Sequence, residues 1–216
     1  MIRLYHVAQA RSFRVLWFLN EAGLPHEVRQ MSFFDKSLRA PEFLALSPAG
    51  RIPAVEIDGQ VMFESGAILE YLAETRAPVL GRAPGHADRA AWLEWLHFGE
   101  TIGQHLANLT QQHIVLREDW MRSPTVMRLE VKRLEKCLIA VAEARRGDYI
   151  LGDFSAADIA LGYGFLIGQR FVRPDHPAVA AYWQALSARP AFQAALAADG
   201  PAQIYTQDFY EAPADG

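Results

Sequence analysis

Two short stretches of this chain hold residue types spaced for ligand chemistry, beginning with Ile52-Pro53. The residue before a proline is held extended, and X–Pro is the one peptide bond commonly found in the cis form. A cis bond there turns the N–H and C=O of Ile52 out of a sheet, where they can pair with an extended peptide as an added strand. Taken alone, the dipeptide also reads as an ordinary proline opening a strand. The second stretch, Glu64-Ser65, precedes an apolar helical run. Ser65 suits an N-cap. The helix start also offers free N–H groups and partial positive charge to a carboxylate, while Glu64 offers an anion to an ammonium. Side by side, the two fit the zwitterionic end of an α-amino acid. Either residue alone has a structural explanation.

The elements that would position these residues lie in the first third of the chain. Ile2–Val7 reads as a strand, and 13–22 as a helix with Val15, Leu16, Leu19 and Ala22 on one face. Gly23-Leu24-Pro25 ends that helix, and 27–31 reads as a second strand. A short helical turn follows at 41–46. Asp58-Gly59 between 54–57 and 60–63 is a two-residue hairpin signal. The segment 65–73 reads as a helix with Ile68, Leu69 and Leu72 inward. The order βαβ, hairpin, α implies a four-stranded mixed sheet with helices packed on it. A proline- and glycine-containing run at 76–88 reads as a linker. Beyond it, helical spacing recurs at Trp92, Trp95/Leu96, Gly99, Ile102/Gly103, Leu106 and Leu109, then over 126–144, 156–167, 178–188 and 191–198.

The run from Ser47 to Leu72, SPAGRIPAVEIDGQVMFESGAILEYL, resembles the glutathione transferase family. That likeness extends from RLYH and RVLWFLNEAGLPHE through the helical second half. The resemblance implies an α/β plus all-α fold: a thioredoxin-like domain at 1–77, a linker at 78–87 and an all-helical domain at 88–216. It implies that Ile52 beside cis-Pro53 holds the cysteinyl backbone of glutathione, and that Glu64 and Ser65 hold its γ-glutamyl end. It further implies that Arg51 approaches the glycyl carboxylate. The implied activity is conjugation of the glutathione thiolate to a small hydrophobic electrophile, a detoxification chemistry, in a homodimer. The loop before the first helix departs from the family. Bacterial relatives place a serine four residues before an arginine, where this chain has Ala10. Ser12 is the nearest remaining hydroxyl, suited to cap the first helix, to activate the thiol, or to do both through different atoms. Arg11 is a second candidate activator, because a nearby cation lowers a thiol's pKa. Arg14 reads as a helix anchor. Isomerase, reductase or peroxidase chemistry on the same scaffold, and a non-catalytic binding module, are the alternatives. The paired serines of isomerase relatives are absent from the loop.

Bulk properties agree with a soluble globular protein. Hydrophobic residues make up 51%, charged residues 21%, and the net charge is -4, with no basic run suited to nucleic acid. No apolar run is long enough to span a membrane. The lone Cys137 and the absence of a signal peptide at MIRLYHV lead to the expectation of a cytoplasmic protein. His97, His105 and His113 recur every eight residues, a drift of ~80° per step on a helix, so no metal site is expected there. His113 is a candidate lining residue for the electrophile. Tyr205, Phe209 and Tyr210 lie in a tail that either folds over that pocket or is disordered. Ser155 and Asp158 form a capping box in its aspartate variant.

Overall fold

In a computed structural model the chain is described over residues 1–213. It forms two compact units: Met1–Arg89 with Ser187–Gln203, and Ala90–Leu186 with residues 204–213.

The first unit is built on a sheet of order β2-β1-β3-β4, from β1 (Ile2–His6), β2 (His26–Gln30), β3 (Ala54–Ile57) and β4 (Gln60–Phe63). β1 pairs parallel with β2 through the helix α1 (Ser12–Glu21) and antiparallel with β3, which turns into β4. Asp58 and Gly59 carry the hairpin turn at φ 50° and 88°, the left-handed backbone a two-residue turn of this kind demands. The central β1 buries Leu4, Tyr5 and His6 in succession, as a strand covered on both faces should. The helices α2 (Pro41–Leu44) and α3 (Ser65–Thr75) complete the first 75 residues, α3 burying Ile68, Leu69 and Leu72.

Helix α1 is buried around its whole circumference from Ser12 to Leu19, not along the single stripe that its periodicity suggests. The reason lies far away in sequence. Helix α8 (Pro190–Ala198) packs on it, with Phe192 edge-on to Trp17 and Phe13 at 4.9 and 5.7 Å. Arg189 also pairs with Glu21 at the far end of α1. Residues 187–203, which follow the helical run in sequence, thus pack with the sheet-containing unit.

The second unit holds α4 (Arg89–Thr110), α5 (Pro124–Ala144), α6 (Ala156–Gly168) and α7 (Pro177–Ser187). Its centre is α6, whose residues are almost all buried. The capping box at its start is complete: Ser155 caps the N–H of Asp158, and the Ser155 N–H donates to Asp158 Oδ2 at 2.9 Å. Oδ1 accepts from the Ile150 N–H and the Tyr182 hydroxyl at 2.9 and 2.8 Å. Two glycines explain their own helical cost: a Cβ at Gly164 would lie 2.6 Å from Ile102 Cγ2, and one at Gly99 3.0 Å from the Ala160 carbonyl. His105 is held by Glu130 at 2.7 Å, which accounts for it as an α4–α5 tie. Cys137 is partly exposed, and burial pushes its thiol pKa up, keeping it protonated. Residues 205–210 pack against this unit: Tyr205 OH meets Thr110 Oγ1 at 2.8 Å, and the Tyr210 N–H donates to the Arg170 carbonyl at 2.7 Å. No helix among the described residues is long and apolar enough to cross a membrane.

Candidate functional site

Strand register gathers the singled-out residues of the first unit at one end of its sheet. Ala54 pairs with Phe63 across the hairpin and with Tyr5 across β1. Continuing both ladders by one step sets Pro53 beside Glu64 and beside His6, at the point where β1 runs into the loop before α1.

The approach to Ile52 is braced from behind. Ser47 is buried, its hydroxyl donating to the Arg51 carbonyl at 2.8 Å and accepting the Arg51 N–H at 3.1 Å. Gly50 adopts φ 61° with its Cα against the Leu38 carbonyl, where a Cβ would lie 2.6 Å from that oxygen. Only glycine fits there. The Ile52–Pro53 bond is cis. The ladder begins at Ala54, and no backbone hydrogen bond among the described residues engages Ile52. Its side chain packs on the cluster of Tyr5, Val7, Ala10, Phe43 and Ala54, so the peptide edge is fixed while its polar groups stay open. Arg51 is exposed at the rim.

Glu64 takes φ 71°, ψ 110°, a strained region for a residue with a side chain. It is the residue at the N-cap position of α3, and its exposed carboxylate has no hydrogen-bond partner among the described residues. Ser65, expected as the cap, is instead the first helical residue. Its buried hydroxyl accepts from Arg14 Nη1 at 3.0 Å, leaving its own proton to donate. Arg14 is fully buried, so a cation lies directly behind the start of α3 and adds to the helix dipole. Arg14 thus anchors α1 to α3, as its sequence position suggests.

The loop from Val7 to Ser12 does not place Ser12 at the N-cap of α1. The N-cap position of α1 is Arg11, with no side-chain cap, and Ser12 lies inside the helix. Its Oγ accepts the Val7 N–H and donates to the Val7 carbonyl, both at 3.2 Å, and it is fully buried. That hydroxyl closes the loop on itself; its one proton is directed at a carbonyl. Ala10 is buried in the apolar cluster beside Ile52, and Arg11 is partly exposed.

In the second unit, His113 sits in a π-helical turn, Gln111–Val115, that ends the long helix begun by α4. Its ring packs 5.5 Å from Phe171 and 5.9 Å from Tyr210, with Nε2 buried and unbonded. Burial, and secondarily the Arg122 charge, push its pKa down to about 4, so the imidazole is neutral. The roles of Ser47 and Gly50 carry no signal of their own in the sequence, although both stand in the SPAGR run. The Arg14–Ser65 bond had no local signal at all.

These features have close counterparts in known proteins. Residues 1–74 match the family model described as glutathione S-transferase, N-terminal domain. Glutathione S-transferase 3 of Zea mays is 32% identical over 197 residues, covering 86% of this chain and 88% of that protein. Maleylacetoacetate isomerase of Rhizobium meliloti is 43% identical over 75 residues, 35% of each chain. A glutathione transferase family member from Pseudomonas fluorescens, solved with two glutathione bound, superposes with a TM-score of 0.76 at 27% identity, covering 90% of this chain and 92% of that one. A shared sheet, a shared pattern across Ser47–Leu72 and a relative matched along most of both chains establish that this chain belongs to the glutathione S-transferase family.

Proposed function

We propose that this protein is a glutathione transferase that binds glutathione along Arg51, Ile52, Pro53, Glu64 and Ser65 and adds its thiolate to a small hydrophobic electrophile. The observation that carries the reading is the open peptide edge of Ile52, next to Pro53, which the strand register sets beside Glu64 and the start of α3. The cysteinyl backbone of glutathione pairs with Ile52 as an added strand. Its α-carboxylate meets Ser65 and the α3 N-terminus, with Arg14 behind them, and its ammonium meets Glu64. The glycyl carboxylate reaches Arg51. In that orientation the thiol faces the loop Gln9–Ser12. Arg11 and the first turn of α1 stabilise the thiolate, and Ser12 braces the loop that presents them. The sulfur then bonds to the electrophilic carbon as the leaving anion departs, and the thiol proton goes to solvent. The neutral imidazole of His113, with Phe171 and Tyr210, offers an aromatic surface suited to an apolar electrophile.

Family membership also supports a homodimer, and a reducing, cytoplasmic setting suits both glutathione and the lone thiol. The inward-directed proton of Ser12, together with Ala10, favours one second reading: a glutathione-binding protein with weak or no turnover. Retention on immobilised glutathione and turnover of a chromogenic aryl halide separate the two. Binding with turnover supports the transferase; binding without it supports the second reading. Binding with turnover of a cis-enedione acid in place of the halide points to isomerisation.

A further inference from the structure

A buried pair at the far end of the chain grips the loop before α1. Asp199 is the C-cap residue of α8, and only 4% of its surface is exposed. Its Oδ2 accepts the Gln9 N–H at 3.0 Å. His6, with no exposed surface, stands on the other side of the loop. Its Nε2 lies 3.1 Å from the Asp199 carbonyl, the better aligned acceptor, and 3.1 Å from Oδ1. Asp199 therefore bridges the last residue of β1 and the middle of the loop, across Val7 and Ala8. Gln9 needs such a hold. It adopts φ 63°, a conformation unfavourable for a residue with a Cβ that persists only when its surroundings impose it. The grip is itself anchored, because α8 packs on α1 through Phe192, Phe13 and Trp17.

We propose that Asp199 is a positioning residue for catalysis: through Gln9 it fixes the turn that presents Arg11 and the start of α1 to the glutathione sulfur. The inference rests on the transferase reading above. The glutathione-holding residues Arg51, Ile52, Glu64 and Ser65 lie outside the clamp. Loss of Asp199 should therefore touch the thiol and spare the peptide grip.

The test compares wild type, Asp199→Ala and Asp199→Asn for kcat, KM for glutathione and the pKa of the bound thiol, the last read by ultraviolet titration of the thiolate in the binary complex. Asp199→Ala should lower kcat about tenfold or more and raise the bound thiol's pKa, with KM for glutathione changed by no more than about threefold, the signature of a lost transition-state arrangement. Asp199→Asn keeps a side-chain carbonyl to accept the Gln9 N–H and should retain most of kcat. In the Asp199→Ala chain, adding Gln9→Gly, which takes positive φ unaided, should recover part of the loss. Three results overturn the proposal. One is an Asp199→Ala protein that is less stable but unchanged in kcat and thiol pKa. Another is Asp199→Asn losing as much as alanine, which would make charge, not position, the cause. That variant stays informative even where alanine does not fold. The third is a wild-type protein that binds no glutathione, which removes the functional reading and the proposal together; in the first two the functional reading stands.

Discussion

Glu64 combines a strained backbone with a carboxylate that has no hydrogen-bond partner among the described residues. Backbone strain beside an open charged group fits the ammonium-binding role proposed for Glu64. The two contributions can be separated. Glu64→Gly removes the ammonium partner while relieving the positive φ. Stability in urea should stay level or rise by about 1 kcal/mol, and glutathione affinity should fall about tenfold. Ser65→Ala should behave in the opposite way for stability. It withdraws the Arg14 partner in a buried site and should cost about 1–3 kcal/mol, together with weaker glutathione binding by calorimetry. His113 gives a pH prediction. With its pKa lowered from 6.5 to about 4, the unfolded chain takes a proton in that window which the folded chain refuses. Its contribution to stability is whole above pH 6.5 and declines as pH falls from 6.5 towards 4. Denaturation curves across that range should flatten in His113→Phe, and the wild-type ring should titrate well below pH 6 by NMR.

Among the elements, those set by local rules were legible and those set by distant partners were not. The hairpin at Asp58-Gly59 and the capping box at Ser155–Asp158 come from short-range chemistry, and both stand as their residues suggest. The cis bond at Ile52–Pro53 was likewise legible from the motif. The cap assignments failed because both hydroxyls found other partners. Ser65 meets Arg14, fifty-one residues away, and Ser12 turns back to Val7. The full burial of α1 was invisible because α8, which covers it, lies some 170 residues later. At this scale α6 offers two tests. Ser155→Ala should cost about 1 kcal/mol, the usual loss of a cap. Gly164→Ala places a methyl against buried Ile102 and should lower stability by about 1–3 kcal/mol despite alanine's better helix propensity, read as a lower midpoint in thermal or urea unfolding.

For the whole molecule, one end of the first unit's sheet gathers the residues proposed to hold glutathione, and residues 187–203 pack with the same unit. Helix α8 returns to cover α1 and brings Asp199 to the loop. A homodimer of this 24.2 kDa chain should sediment at about twice that mass, and a concentration-independent monomer would remove the dimer from the proposal. The central claim is that glutathione is held at Ile52, Glu64 and Ser65. Isothermal calorimetry of the wild-type protein and Glu64→Ala with glutathione tests it most directly. Saturable binding by the wild type, weakened about tenfold or more in Glu64→Ala, is the expected result. No heat of binding from the wild type, or equal affinity in both proteins, would contradict it.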